Sequence, residues 1–589
     1  MEPYEELAEN LGRAVALGHE SLSRWQSLSA NAPPSALESL LPAFTEALQR
    51  LASEPGRLAE AGRALGERLE RLWQEAKRSD SARSEPAPAR PARGDRRYRD
   101  PAWDSNPWLL FLRQTHQAGA EWLQQLVERS PGLEPHTARQ ARFFARQFAE
   151  ALSPAHCPLL NPEVLRTTLL TRGRNLVEGM RRLREDVERG QGLLVPRMVA
   201  PRSFQLGVDL AATPGQVIYE EPLFQLLQYN PSTPSVYRRP LLIVPPWVNK
   251  YYVLDLRPEN SLVRWAVERG YTVFLISWVN PDERFAGMDL EDYLLRGLVP
   301  ALNAVERATG ERKPLALGYC SGGTLLAAAL AWWAARGEER IHCATLLAAQ
   351  VDFSDPGELA VFIDPAQLER LEERMHRRGY LEGQEMMGTF NLLRAGDLIW
   401  SFAVEGYLLG RFPRPLDFLY WNSDPTQLPA RAHATYLRSL YLRNLLVQPG
   451  ALSFGGVPLD LRRVQVPLYL LAAQEDHIAP ARSVYQATRH VRGPVRFVLA
   501  GSGHVAGIVH PPAIGRYGYY VREQQDTPPS FEAWLEGAQT HPGSWWTDWD
   551  RWLARHAGAL IPPRHPGDGE LEPIEPAPGR YVQVRSIPE

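Results

Sequence analysis

Cysteine is scarce: Cys157, Cys320 and Cys343 are the three present in 589 residues. An odd, widely spaced set excludes a disulfide framework and suits a reducing compartment, so the expected location is the cytoplasm. Net charge is nearly absent, at −3 from 65 basic and 68 acidic residues. That leaves no global attraction to nucleic acid or to an anionic membrane. The opening, Met1-Glu-Pro-Tyr-Glu-Glu, lacks a basic region followed by an apolar one, so no secretory signal is expected. Long apolar runs are missing too. The longest, from Leu325 to Ala335, is about half of what a bilayer span needs and reads as a buried helix. Integral membrane association is therefore not expected.

What is present is ordinary for a folded chain, with 44% hydrophobic and 23% charged residues. The length implies two or three domains. Seventeen tryptophans are many, and Trp545, Trp546, Trp549 and Trp552 cluster late in the chain. Such a cluster is expected in a core, with an apolar binding surface as the lesser alternative.

The first segment has a helical pattern. Tyr4, Leu7, Leu11, Ala14, Gly18, Leu22 and Trp25 draw one stripe at three- and four-residue steps. Leu58, Ala61, Leu65, Leu69 and Leu72 draw another, and Pro33-Pro34 and Pro55-Gly56 interrupt the chain between them. These residues predict a helical leader over 1–78. Residues 79–97 are rich in Ser, Pro, Ala and Arg and read as a disordered linker. A second helical domain is expected over 98–205, its last helix closed by Gly190.

From about 206 the texture changes. Short β-rich runs at Leu241–Val244, Tyr271–Trp278, Leu315–Leu317, Cys343–Val351, Leu468–Ala472 and Val495–Ala500 alternate with helical stretches. Several are apolar throughout, as parallel strands covered on both faces are. The expected class is α/β, with a mostly parallel central sheet in a catalytic domain over 206–589. Between about 353 and 447 the strand rhythm lapses into an aromatic-rich segment, read as a cap insertion over an active site.

The sharpest motif is Gly318-Tyr319-Cys320-Ser321-Gly322, between a short apolar strand and a helix. It matches the G-x-S-x-G nucleophile elbow of the α/β-hydrolase fold, with Cys in place of Ser. Small residues are needed there because the strand-to-helix turn is tight. The helix N-terminus favours a thiolate on Cys320. The bland alternative is a Gly-rich turn holding an inert Cys. In this fold the acid and then the histidine follow the nucleophile. Asp476 follows one strand and His504 the next, so these are the expected partners. His477, His510 and His433 read as loop or packing residues, and Asp352 as a less favoured acid. The oxyanion hole needs two backbone N–H groups. Ser321 is expected to supply one, and Val248 or Trp247, in the loop after Leu241–Val244, the other; the prolines there cannot donate.

These residues and their surroundings resemble the single-subunit class I polyhydroxyalkanoate synthases. The matching stretches include P-P-W-V-N-K-Y-Y-V-L-D-L from Pro245, G-Y-C-S-G-G from Gly318 and T-F-N-L-L-R-A-G-D-L-I-W-S-F from Thr389. L-Y-W-N-S-D-P-T-Q-L-P follows from Leu419, then E-D-H-I-A-P from Glu475, G-S-G-H-V-A-G from Gly501 and H-P-G-S-W-W-T-D-W from His541. The resemblance spans roughly 94 to 584. Ser321 departs from it, since the family usually carries an apolar residue at that position.

The resemblance implies polymerisation of (R)-3-hydroxyacyl-coenzyme A, of short side chain, with release of coenzyme A. It also implies association with polymer granules and a homodimer; no cofactor or metal is expected. A thiol nucleophile suits the reaction, because an acyl group held as a thioester stays activated until it passes to a hydroxyl. The rival readings are a Cys esterase or depolymerase, and a non-catalytic granule-binding protein.

Overall fold

The computed structural model describes residues 3–30, 36–81, 95–412, 414–523 and 527–586. Within them the chain divides into two compact units, Met1–Pro201 with Met387–Pro415, and Arg202–Met386 with Leu416–Glu589.

The first unit is helical. Three of its helices open on a capping side chain followed by proline at the first helical position. Asn106 accepts from the N–H groups of Trp108 and Leu109 ahead of Pro107–Glu128. Glu134 does the same for Pro135–Ala151, and Asn161 for Pro162–Leu170. Proline fits there because its missing N–H would have no helical partner.

The leader forms the helices Pro3–Ser29, Leu41–Ala52 and Pro55–Ser81. The apolar stripe read along the first is turned partly outward: Tyr4, Leu11, Leu22 and Trp25 are exposed. The face that packs against Arg174–Arg189 carries Asn10, Ala14 and Ser21, all buried. Its polar positions decide this. Asn10 Nδ2 donates to the Arg172 carbonyl at 2.8 Å, and Glu6 pairs with Arg172 and Arg174. The linker expected over 79–97 falls largely on 82–94, outside the described residues.

The Met387–Pro415 segment, part of the expected cap, packs with these helices. Tyr407 donates to Asp186 Oδ2 at 2.8 Å, Asn175 Nδ2 donates to the Leu408 carbonyl at 2.7 Å, and Trp400 stacks on His156. The 353–447 insertion is therefore shared between the two units.

The second unit is built on an eleven-stranded sheet among the described residues. Six parallel neighbours form its middle, in the spatial order Val273–Trp278, Leu241–Val244, Leu315–Tyr319, Cys343–Leu347, Leu468–Ala473 and Val495–Ala500. These are the six runs expected from their apolar character, and every residue of the first five is buried. Antiparallel strands extend the sheet at both edges, Gly215–Glu221 and Phe224–Tyr229 on one side, Tyr519–Val521 and Gln539–His541 on the other. Pairing of Val244 with Gly318, Tyr319 with Leu347, Leu347 with Leu471 and Ala473 with Ala500 brings the carboxyl ends of the central strands to one edge. The loops leaving that edge carry the site.

The apolar run after Cys320 is the helix Ser321–Ala335, buried from Ser321 through Trp333. A helix apolar on all sides is a core helix. Among the described residues no helix is long and apolar enough to cross a membrane.

Candidate active site

Cys320 stands between the strand Leu315–Tyr319 and the helix Ser321–Ala335, with φ at 52°. An L-residue in this region is strained, and the turn holds only because its neighbours close in on it. The Cys320 N–H donates to the Leu347 carbonyl at 2.9 Å. A Cβ on Gly318 would lie 2.5 Å from the Gly323 Cα, and one on Gly322 would run into the Val244 and Pro245 carbonyls. Glycine is required at both positions because backbone passes backbone there. Of the other cysteines, Cys343 is fully buried and burial pushes its thiol far up, which makes it inert. Cys157 lies in the helical unit.

The two partner loops meet beside the elbow. His504 Nδ1 donates to Asp476 Oδ2 at 2.7 Å, which leaves Nε2 as the ring nitrogen that can act as a base. The other oxygen, Asp476 Oδ1, accepts from the N–H groups of Ile478 and Ala479, both at 2.9 Å. Both carboxylate oxygens are thus fixed, and the imidazole is fixed through them. Burial opposes charging of His504, but the Asp476 carboxylate and Cys320 outweigh it and hold the imidazole well above its ordinary pKa. Such a ring takes a proton from a thiol readily.

Neighbouring residues brace this arrangement. The Tyr319 ring stacks on the His504 ring at 5.5 Å, and its hydroxyl donates to the His504 carbonyl at 3.0 Å. Glu475 N–H donates to the Ser502 carbonyl at 2.8 Å and stitches the two loops together. Trp545 and Trp546, each fully buried, donate their indole N–H groups to the carbonyls of Gly507 and Ile508 at 2.9 Å. Trp545, Trp546 and Trp549 of the late tryptophan cluster are therefore core, and part of that core supports the histidine loop.

The loop Pro245–Lys250 leaves the strand next to the elbow, and its first carbonyls touch Gly322. Thr426 Oγ1 donates to the carbonyls of Trp247 and Val248, and Trp278 Nε1 donates to the Pro245 carbonyl. Lys250 closes the loop through a fully buried ion pair with Asp424 at 2.8 Å, reinforced by the Val582 carbonyl and by Tyr252, whose hydroxyl donates to Asp424. Burial pulls the Lys250 ammonium below its ordinary pKa, and Asp424 opposes that. The Ser321 hydroxyl is buried and has no hydrogen-bond partner among the described residues.

The remaining candidates have other partners. Asp352 pairs with His490, not with His504. His510 Nε2 accepts from the N–H groups of Arg516 and Tyr517 and closes its own turn. The carbonyl of His477 accepts from the Glu358 N–H. His433 is buried, which pulls its pKa down to about 4. Sequence reasoning missed the clamp on the oxyanion loop and the tyrosines Tyr436 and Tyr441, whose rings meet edge-on at 5.6 Å and which burial holds above their ordinary pKa. The motifs N-K-Y-Y and W-N-S-D-P-T contained the clamp, but nothing in their spacing pairs Lys250 with a carboxylate 174 positions later.

Comparison with known proteins follows the same lines. Residues 94–266 match the family model described as Poly-beta-hydroxybutyrate polymerase (PhaC) N-terminus, and 240–511 match the alpha/beta hydrolase fold. A poly(3-hydroxyalkanoate) polymerase of Methylorubrum extorquens is 45% identical over 549 residues, covering 92% of this chain and 90% of that one. The chain belongs to the poly(3-hydroxyalkanoate) polymerase family. A polymerase subunit of Rhizobium meliloti is 43% identical over 100% of this chain and 97% of its own. One of Cupriavidus necator is 41% identical over 84% of this chain and 83% of its own. As a member of this family the chain is a polymerase of the acyltransferase type. Its sheet, elbow and helical first unit agree with the class expected from the sequence.

Proposed function

We propose that this polymerase uses Cys320 as a covalent nucleophile to join (R)-3-hydroxyacyl groups delivered as coenzyme A thioesters. His504 takes the thiol proton, and the thiolate attacks the thioester carbonyl. The carbon–sulfur bond to coenzyme A breaks, and His504 returns its proton to the departing thiolate. The acyl group, now a thioester on Cys320, is attacked by a 3-hydroxyl whose proton His504 accepts; the carbon–sulfur bond to Cys320 breaks, an oxyester forms, and His504 returns the proton to the freed Cys320 thiolate. Exchange of a thioester for an oxyester drives each addition. Asp476 holds His504 in the required tautomer. The N–H groups of Ser321 and of Val248 or Trp247 stabilise the oxyanion at each attack.

The observation that carries this reading is the thiol on a strained elbow, together with an imidazole that a buried carboxylate holds at 2.7 Å and whose pKa both that carboxylate and Cys320 raise. The relatives' printed names support the polymer product. Short acyl side chains, a homodimer and association with granules in the cytoplasm complete the proposal. The test gives purified protein (R)-3-hydroxybutyryl-coenzyme A and follows coenzyme A release, insoluble polymer and the site of trapped acyl groups by mass spectrometry. Release with polymer and an acyl group on Cys320 is expected. Free hydroxy acid without polymer, or an acyl group on another residue, would overturn the proposal.

A further inference from the structure

One turn beyond the nucleophile, the helix Ser321–Ala335 borders an apolar cavity. Thr324, whose N–H donates to the Cys320 carbonyl at 3.1 Å, forms the near wall with Trp247 of the oxyanion loop and Tyr436. Leu446, Ala328 and Phe454 also line it. The direction is fixed by the helix, which rises about 1.5 Å per residue. Thr324 is thus about 6 Å from Cys320 along the axis, and Ala328 about 12 Å. Phe454 belongs to the far end, because its carbonyl accepts from Trp332 Nε1 at 3.0 Å, a further turn along.

The exposed lining of the cavity is almost entirely apolar. Thr324 Oγ1 donates to the Gln350 carbonyl at 2.7 Å, and the Tyr436 ring packs edge-on to the Tyr441 ring at 5.6 Å. The rest of the lining named here is hydrocarbon or ring surface. An unsatisfied polar group would lose its hydrogen bonds to water on entering, whereas an alkyl group would not. Space is limited: the cavity leaves room for about one water-sized group at a time.

We infer that this cavity receives the alkyl substituent at C3 of the acyl group bound to Cys320, and that Phe454, with Ala328, sets the longest substituent accepted. In a 3-hydroxyacyl thioester this substituent branches three bonds from the sulfur, which matches a pocket beginning one helical turn from the nucleophile. A methyl group fits the space and a propyl group exceeds it. The inference rests on the polymerase reading above and names the residues that set its substrate range.

The test compares kcat/KM for (R)-3-hydroxyhexanoyl-coenzyme A with that for (R)-3-hydroxybutyryl-coenzyme A in the full-length protein, using coenzyme A release. Phe454→Ala should raise the hexanoyl-to-butyryl ratio at least about tenfold, the scale on which apolar pockets discriminate methylene groups. Ala328→Val should lower it. Both substrates are assayed on one preparation, so a partly inactive sample leaves the ratio intact. If Phe454→Ala does not stay soluble, Phe454→Leu gives the same readout with a smaller rise. An unchanged ratio in the Phe454 and Ala328 variants, with butyryl substrate still consumed, would overturn the pocket and leave the polymerase reading standing. Failure of the unaltered protein to release coenzyme A from either substrate would overturn that reading and the pocket with it.

Discussion

Asp352 Oδ2 lies 2.8 Å from His490 Nε2, a second carboxylate–imidazole pair in the sheet unit that also holds Asp476 and His504. Its chemistry is spent on structure. Asp352 Oδ1 accepts from the Ser354 N–H and from Asn444 Nδ2, and Asn444 Oδ1 accepts from the Phe353 N–H. The pair thereby ties the two ends of the insertion, near 353 and 444, to the helix Ala481–His490. In sequence Asp352 resembles a catalytic acid because it too follows a parallel strand. Partners decide between them.

The first prediction concerns acid stability. Burial would raise the Asp352 pKa, but His490, the Ser354 N–H and Asn444 outweigh it and hold the carboxyl well below its ordinary range. A carboxyl held low contributes stability that is present above its unfolded pKa of about 4 and is lost as pH falls toward the folded value. Asp352→Asn should therefore be less stable than the parent at pH 5, with the gap narrowing at pH 3. Urea midpoints at the two pH values measure this; a gap that stays constant would refute it.

The second concerns the chemistry. Cys320→Ala should abolish turnover, and Cys320→Ser should leave at most a trace, because a hydroxyl is far harder to ionise than a thiol. His504→Gln should lose about 10²–10⁴ in rate, the usual contribution of a positioned acid–base group. Asp476→Asn should retain some acylation while elongation falls further. His510→Gln should come nowhere near these losses. Coenzyme A release, read beside the trapped acyl-protein, separates the two steps.

The third concerns the clamp on the oxyanion loop. Lys250→Met leaves Asp424 buried without its partner, and breaking a buried pair costs about 3–5 kcal/mol. Turnover should fall too, because Lys250 ends the loop that carries the Val248 and Trp247 N–H groups. Lys250→Met with Asp424→Leu, which buries no lone charge, should recover part of the stability. Chemical denaturation of the single and double variants checks this, and a double variant no more stable than the single would contradict it.

The fourth concerns the histidine loop. Trp546→Phe keeps most of the ring but deletes the N–H that donates to the Ile508 carbonyl. A buried carbonyl left unpaired costs about 1–3 kcal/mol. The variant should melt lower and turn over more slowly than Trp552→Phe, since Trp552 is only half-buried. Equal melting temperatures for the two would count against the bracing role.

Much of this protein was legible in its sequence because the relevant physics is local. Apolar runs with no alternation gave the six parallel strands, since a strand covered on both faces has no polar side. The glycines around Cys320 marked the elbow, since backbone passes backbone there. The order of Cys320, Asp476 and His504 along the chain gave a candidate triad, since each stands at the end of a strand. Tertiary structure alone decided the rest. Which face of Pro3–Ser29 turns inward depends on Asn10 meeting the Arg172 carbonyl and Glu6 meeting two arginines, contacts that span more than 160 residues. Asp352 and Asp476 have equivalent strand-end positions, and only the packing of His490 and His504 separates their roles. The insertion read as one cap is divided between two units, because Tyr407 and Trp400 find their partners among the helices. Lys250 and Asp424 each look like solvated charges until the fold buries them together, and the cavity beneath Cys320 is bounded by side chains from four separate stretches of chain. A sequence records which groups can be buried, but the partner of each is chosen by the packing of the whole chain.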